Sequence, residues 1–162
     1  MSNRITSEWT ATTAQAFGNN HCTQTGDKAE HMVYNYLQAT YDAVHWHRQN
    51  RSKQIAGKDF EFKKKQWKHW YSVDVKGNMH RGMFLVYVQE IANKQNHRMI
   101  HVDTDSGQAV EYDRQSMLEY LHSNPDLVQT DRNNNRYARL KASSQLLPRC
   151  INHFRPFKIK LA

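Results

Sequence analysis

The stretch WYSVDVKGN, residues 70–78, has the alternating pattern of a β-strand. Apolar side chains recur at every second position from Tyr71 to Val75, as they do on the buried face of a strand. The opposite face places Asp74 and Lys76 two residues apart, ~6.5 Å along the strand and pointing the same way. The stretch therefore predicts a strand with one face in a sheet and a charged pair on the other.

The residues before this strand predict a helix and a second strand. Residues 25–41 have helical spacing, with Thr25 as N-cap and with Asp27 and Glu30 in the first turn, where negative charge suits the helix dipole. The segment DFEFKKK, residues 59–65, alternates like another strand. The core-facing residues expected on the helix are Ala29, Met32, Val33, Tyr36, Leu37 and Thr40.

The residues after it predict further strands and a helix. The run GMFLVYVQEI, residues 82–91, is typical of a strand covered on both faces. Residues 98–113 predict two strands joined by a turn at residues 105–107, and Asp113 caps a helix that ends at Asn124 and Pro125. Residues 130–140 have the composition of a polar loop. The order predicts an α/β (α+β) domain, with helices flanking a central mixed β-sheet.

Length and composition fit one domain spanning residues 1–162, with a polar N-terminal arm over about residues 1–24 and a basic C-terminal segment over about residues 132–162. The sequence has no apolar run of the ~20 residues that span a bilayer, and its start lacks the apolar core of a signal peptide. Cys22 and Cys150 lie far apart without zinc-ligand spacing, as expected for free thiols in a reducing, cytoplasmic compartment.

Positive charge is concentrated in two blocks. The chain has 23 Lys and Arg against 15 Asp and Glu, a net charge of +8. Ten of the basic residues lie between residues 45 and 81, and eight lie between residues 132 and 162, where there are no acids. Such blocks favour a polyanionic partner, most often nucleic acid, over a merely soluble basic protein. The candidate contacts are Lys63, Lys64, Lys65, Lys68, Arg81, Arg136, Arg139 and Lys141.

The charged pair on the strand has the chemistry of metal-dependent phosphodiester hydrolysis. Carboxylates hold Mg²⁺, which prefers oxygen ligands, and a fixed cation stabilises the charge that develops on the phosphate. Asp59 lies 15 residues before Asp74, at the start of the preceding strand, and Glu30 lies 29 residues before Asp59. An antiparallel pair of strands would bring Asp59 near Asp74, and the helix carrying Glu30 packs on the same sheet.

These residues resemble the PD-(D/E)XK nuclease superfamily, and the resemblance spans residues 26–91. It implies a restriction-endonuclease-like αβββαβ core and a nuclease dependent on Mg²⁺ or Mn²⁺. It also implies that Asp59, Asp74 and the carbonyl of Val75 are metal ligands and that Lys76 is the charge-stabilising lysine. By the same resemblance, Glu30 is a further ligand or holds a metal-bound water.

The match has departures and one internal rival. Lys58 stands where the family usually has proline, and the second acid, Asp74, is more often glutamate. Glu61 and Lys63 form a second triplet of the same kind, so the catalytic pair is either Asp74 with Lys76 or Glu61 with Lys63. The run of three lysines from residue 63 favours a strand end there and hence the first pair. The 82–91 strand offers two polar residues, Gln89 and Glu90, one of which could line the site next to Lys76, the alternative being a polar strand end.

The function expected from these features is a small metal-dependent endodeoxyribonuclease acting on duplex or branched DNA. A junction resolvase, a homing or restriction enzyme and a phage-type nuclease all fit. A domain of this size that cuts both strands is expected to act as a homodimer. The alternatives are a non-catalytic nucleic-acid-binding accessory protein with the same fold, and RNA as the substrate.

Overall fold

The structure, a computed structural model, describes residues 20–161, with side chains from residue 24 onward. The helices are α1 (Asn20–Thr40), α2 (Arg51–Ile55), α3 (Val88–Asn93), α4 (Arg114–Ser123) and α5 (Leu147–Cys150). The strands are β1 (Ala43–Trp46), β2 (Phe60–Lys63), β3 (Tyr71–Lys76), β4 (Met79–His80), β5 (Met83–Tyr87), β6 (Arg98–Val102), β7 (Gln108–Asp113), β8 (Val128–Thr130), β9 (Arg136–Lys141) and β10 (Arg155–Lys158). The predicted arm over residues 1–24 lies outside the described residues up to residue 19, and its last part belongs to α1.

A six-stranded mixed sheet forms the centre of the molecule, in the order β1-β2-β3-β6-β7-β10. Its only parallel pair among the described strands is β3 with β6, and every other pair is antiparallel. A second, antiparallel sheet has the order β4-β5-β9-β8. The chain thus runs from α1 through β1, β2 and β3 to α3 and β6, with α2 and the β4–β5 hairpin as additions. The predicted central mixed sheet flanked by helices is confirmed.

Two apolar clusters hold these layers together. One lies between α1 and the six-stranded sheet and includes Met32, Leu37, Phe60 and Val73. The other lies between the opposite face of that sheet, the second sheet and α4, and includes Met99, Phe84 and Met117. Because β3 has layers on both sides, four consecutive residues of it, 72–75, are buried.

Helix α1 begins earlier than the sequence predicted. Thr25, Asp27 and Glu30 lie inside the helix, and no acid lies in the first turn of its described range, so the N-cap and dipole roles were wrong. Of the six predicted core residues, four are buried and Tyr36 is half-buried, but Thr40 is exposed because it lies at the helix end and its hydroxyl donates to the Tyr36 carbonyl.

The 82–91 run is not one strand, and this prediction was wrong. It forms β5 and then α3, and β5 belongs to the second sheet. Val88 and Ile91 are both buried at helical spacing, and Gln89 and Glu90 lie between them on α3. A short apolar run does not distinguish a buried strand from a buried helix, which is why the pattern misled.

The predicted polar loop over residues 130–140 was wrong in its second half. Residues from Arg136 onward form β9, in which Ala138 and Leu140 are buried while Arg139 and Lys141 are exposed. One buried and one solvated face is typical of an antiparallel strand. The basic outer face hid the alternation in a segment rich in Asn and Arg.

Candidate active site

The end of β3 brings an aspartate, a lysine and a glutamate together. Asp74 is only 3% exposed, so the face that the sequence predicted to be open is covered. The Nζ atom of Lys76 lies 3.3 Å from Asp74 Oδ2 and 3.6 Å from Glu90 Oε2. Glu90 reaches this point from α3, which follows the β4–β5 hairpin. Three charged groups from two elements therefore meet at one place.

Asp59 joins them from the neighbouring strand. Phe60 pairs with Val73, so Asp59 faces Asp74 one step beyond the end of the ladder. The backbone N–H of Val75 donates to Asp59 Oδ2 at 2.8 Å. The N–H and C=O of one residue in an antiparallel ladder point to the same side, so the Val75 carbonyl also points toward the start of β2.

Glu30 approaches from α1, which packs closely against Gly77, the residue directly after β3. A Cβ atom on Gly77 would lie 3.1 Å from the Thr25 carbonyl oxygen and 3.3 Å from the Cβ of Ala29. Glycine is needed here for the close approach, and that approach places the next helical residue, Glu30, near the end of β3. The indole N–H of Trp46 donates to Glu30 Oε1 at 3.0 Å and fixes the side chain.

The carboxylates repel one another and are partly or fully removed from water, Asp74 being buried and Glu30 and Asp59 half-buried. Burial, followed by the negative charges of Asp74 and Glu30, raises the pKa of Asp59 well above its usual range. Burial also raises the pKa of Glu30, against the hydrogen bond from Trp46, and Asp74 adds to the rise. Both acids would therefore be more stable with a cation beside them.

Lys76 remains charged in this setting. Burial works against its ammonium group, but the attraction of Asp74, Glu90 and Asp59 outweighs burial and raises the pKa of Lys76 above its ordinary value. A permanently charged ammonium group next to enclosed carboxylates is suited to stabilising negative charge on a bound phosphate.

The donor set fits a hard divalent cation. Asp74 Oδ2 is buried, and its near donor among the described residues is the Lys76 ammonium group, 3.3 Å away in an ion pair rather than a well-formed hydrogen bond. This single ion pair leaves acceptor capacity of an enclosed carboxylate unused, and a metal cation would take it up. The ligand atoms of Glu30, Asp59 and Asp74 do not all lie within 4.8 Å of one another among the described residues. The three carboxylates are therefore close enough to raise one another's pKa values, but they do not form a ready-made three-carboxylate metal site.

The rival pair lies elsewhere and is neutralised. Glu61 Oε1 is 2.8 Å from His47 Nε2 and 3.3 Å from Lys53 Nζ. Burial opposes its charge, but the hydrogen bonds from His47 and Lys53 lower the pKa of Glu61 below its usual value. Lys63 is directed to the ring of Trp70, 5.8 Å from the ring centroid. A carboxylate with two basic partners has no need of a metal, so the geometry favours Asp74 with Lys76.

The two polar residues of α3 differ in position. Glu90 contacts Lys76, whereas Gln89 Oε1 accepts from the backbone N–H of Arg136 at the start of β9. The sequence placed both on a strand and could not tell which one reached the site. A helical reading of residues 88–91, with Val88 and Ile91 inward, would have separated them.

The predicted nucleic-acid contacts fall on two surfaces. Residues 63–68 form the basic end of β2 and the loop to β3, which we term the loop surface; it lies at the opposite end of β3 from Lys76, ~17 Å away along the strand. Arg81, Arg136, Arg139 and Lys141 are exposed on or beside the second sheet, which we term the second-sheet surface. Asn78, two residues after Lys76, lines the same ≈ 350 Å³ groove as Arg139. Only the second-sheet surface adjoins the site.

A tighter group of possible metal ligands, His80, Asp103 and Asp105, has another explanation. Their ligand atoms lie within 4.8 Å of one another. However, Asp103 accepts hydrogen bonds from the backbone N–H groups of Asp105, Ser106 and Arg81. These bonds, acting against burial, lower the pKa of Asp103. The group therefore belongs to the turn before β7.

A series of hydrogen-bonded polar side chains lies next to the end of β3. His101 Nδ1 is 2.6 Å from Asn78 Oδ1, and its Nε2 is 2.6 Å from the hydroxyl of Tyr112. Burial, together with the charge of Lys76, lowers the pKa of His101 to about 3, so the ring is neutral at physiological pH. These hydrogen bonds hold the segment that follows Lys76 in place. No pattern in the sequence indicated them.

No protein-family model, curated protein or solved structure gives a significant match to this chain. Within residues 20–161, no helix has the length and apolar character to cross a membrane.

Proposed function

We propose that this chain is a metal-dependent endodeoxyribonuclease of the PD-(D/E)XK type. The observation that carries the proposal is the buried Asp74 carboxylate opposite Asp59, whose Oδ2 has, among the described residues, an ion pair with Lys76 and no further donor. The order of elements supports it, since α1, three antiparallel strands, α3 and a strand parallel to β3 follow the αβββαβ pattern that the resemblance implies.

The roles follow from the positions. Asp59, Asp74 and the Val75 carbonyl would hold Mg²⁺ or Mn²⁺, and Glu30 would complete the set or orient a water. When bound, the ion supplies polarisation of the scissile phosphate and acidification of the attacking water. Lys76 contributes a fixed positive charge at the phosphate as negative charge develops there. Helix α3 places Glu90 beside Lys76 on one side of the site.

DNA would contact the two basic surfaces. The second-sheet surface adjoins the site and is suited to the phosphates nearest the cut. The loop surface, ~17 Å away, would contact a flank about five base pairs from the cut, at 3.4 Å per base pair. Both are electrostatic contacts and carry no sequence preference. Cleavage of both strands would require two sites, which favours a homodimer.

The test is a cleavage assay on linear, circular, branched and single-stranded DNA and on RNA, with Mg²⁺, with Mn²⁺ and with EDTA. The variants are Asp74→Ala and Lys76→Ala, with Glu61→Ala and Lys63→Ala as matched controls from the rival triplet. At saturating DNA, where a weaker contact of Lys63 with the substrate does not limit the rate, we expect metal-dependent cleavage that falls roughly 10²-fold or more in the first two variants and is retained in the controls.

Other outcomes decide between the alternatives. Binding of DNA without cleavage in any metal would overturn the nuclease proposal in favour of a non-catalytic accessory protein. Cleavage of RNA alone would correct the substrate. Loss of activity in the Glu61 and Lys63 variants, with activity kept in the Asp74 variant, would move the site to β2.

A further inference from the structure

Lys76 has two carboxylate partners on different elements. Asp74 lies on the same strand, with its Oδ2 at 3.3 Å, and Glu90 lies on α3, with its Oε2 at 3.6 Å. The side chain of Asp74 is 5% exposed, that of Glu90 is 20% exposed and that of Lys76 is 24% exposed. The ammonium group therefore sits between the two acids with little water to replace either one.

One of these two partners, Asp74, is also a proposed metal ligand. The Asp74 oxygen that faces Lys76 is Oδ2, which among the described residues has this ion pair and no further donor. A divalent cation on that oxygen would stand close to the ammonium group, and like charges a few ångströms apart repel strongly in a shielded site. With Asp74 as its only partner, Lys76 would compete with the metal.

Glu90 is held in a position from which it can pair with Lys76 when Asp74 binds a metal. Val88 and Ile91 anchor α3 in the core, and both are almost fully buried. The guanidinium of Arg114, at the start of α4, donates to the Ile91 carbonyl at 2.7 Å and fixes the end of the same helix. The carboxylate of Glu90 therefore has a rigid base and a lysine within reach.

We propose that Glu90 is a positioning residue that holds Lys76 when Asp74 binds a divalent cation, and so prevents the lysine from competing with the metal. This inference rests on the proposed metal site at Asp74. It assigns Glu90 no contact with the metal or with the substrate. Its effect passes through Lys76.

A double-mutant cycle of Mn²⁺ binding tests this route. Mn²⁺ affinity is measured by calorimetry, without DNA, in the wild type, Glu90→Gln, Lys76→Met and the double variant. We expect Lys76→Met to bind Mn²⁺ more tightly, because the competitor is gone. Glu90→Gln is expected to weaken binding about three- to tenfold, and this loss is expected to vanish in the Lys76→Met background.

Two controls keep the result interpretable. Asp126→Asn removes one exposed negative charge from the turn after α4 and should leave Mn²⁺ affinity unchanged. Thermal unfolding shows whether each variant is folded, and Lys76→Gln replaces Lys76→Met if the methionine variant is not.

An equal loss from Glu90→Gln in both lysine backgrounds would overturn the inference, because Glu90 would then act on the metal directly. No loss in either background would also overturn it. In both cases Mn²⁺ binding and cleavage by the wild type would leave the proposed function standing. Absence of Mn²⁺ binding in the wild type would overturn both.

Discussion

Asp59 carries a charge that the metal-free protein tolerates poorly. Its pKa is raised well above the ordinary value of 3.8, first by burial and then by Asp74 and Glu30. A carboxyl group with a raised pKa in the folded state destabilises the fold when it is ionised. This cost is full above the raised pKa and disappears as the pH falls below the ordinary value. The metal-free protein therefore gains stability from this group as the pH falls.

Asp59→Asn is therefore expected to stabilise the metal-free protein. The amide oxygen can still accept from the Val75 N–H, while the repulsive charge is removed. At pH 8 we expect a gain of about 1 kcal/mol in the free energy of unfolding, or about 2–4 °C in Tm. Thermal unfolding in EDTA at pH 8 and at pH 4 measures this, and the gain should fade at the lower pH.

Glu61→Gln is the control of opposite sign. The pKa of Glu61 is lowered by its bonds to His47 and Lys53, so its charge stabilises the fold at neutral pH. Its neutralisation should lower Tm at pH 8. Destabilisation of the metal-free protein by Asp59→Asn at pH 8 would contradict the charge repulsion proposed for the site.

Protons and the metal should compete for the same acids. Glu30 and Asp59 both have raised pKa values, and a carboxylate must be ionised to bind a metal. We expect Mn²⁺ affinity, measured by calorimetry, to weaken as the pH falls through these values, and to do so less in Glu30→Gln. An affinity that is constant between pH 8 and pH 5 would contradict this.

The packing of α1 against β3 determines whether Glu30 reaches the site. Gly77→Ala would push the helix away by a few tenths of an ångström, since the new Cβ would lie 3.1 Å from the Thr25 oxygen. We expect Gly77→Ala to weaken Mn²⁺ binding and lower Tm. Gly26→Ala on the same helix has open space, and should raise stability by about 0.5–1 kcal/mol with unchanged Mn²⁺ binding. Equal behaviour of the two variants would contradict a close contact at Gly77.

The loop surface makes a prediction about substrate length. Lys65 and Lys68 are exposed at the far end of β3, ~17 Å from Lys76. We expect Lys65→Glu with Lys68→Glu to weaken binding of a 30-base-pair duplex at least about tenfold, and to leave a duplex too short to reach the loop almost unaffected. Arg149→Glu, exposed on α5 outside both surfaces, is the control. An equal effect on both duplexes would contradict this placement.

Elements with a clear hydrophobic period could be predicted from the sequence. Elements whose type depends on what packs over them in the folded protein could not. The alternation in β2 and β3, the strands on either side of the 105–107 turn and the Asp113 cap of α4 were all readable, and the cap donor is the Ser116 N–H at 2.8 Å. The break between β5 and α3 was not, because apolar residues fill both. Glu90 was therefore assigned to the wrong element, although the position near Lys76 was anticipated.

At the scale of the whole molecule, the αβββαβ order explains why residues 30, 59 and 74 meet although they are far apart in sequence. The antiparallel register opposes Asp59 to Asp74, and the packing of α1 adds Glu30. The sequence supplied the residue types and the pairing of strands. It did not supply the burial of Asp74, because the alternation of β3 does not encode what packs over its polar face in the folded protein.

The net charge allows a test of the proposed DNA partner. With a net charge of +8, the affinity should fall steeply with salt, in proportion to the number of phosphates neutralised. Electrophoretic mobility shift assays between 50 and 200 mM salt measure the slope. An affinity independent of salt would argue against a polyanionic partner.

The most direct test of the central claim is the single-turnover rate of Mg²⁺-dependent DNA cleavage in the wild type, Lys76→Met and Lys63→Met. Both substitutions remove a lysine from a triplet of the same form, but only Lys76 lies beside Asp74 and Glu90. With the enzyme in saturating excess over DNA, so that a weaker contact at the loop surface does not limit the rate, we expect a loss of roughly 10²-fold or more in Lys76→Met and a rate within about twofold of the wild type in Lys63→Met. A wild type that does not cleave DNA, or a Lys76→Met variant as active as Lys63→Met, would contradict the proposed site.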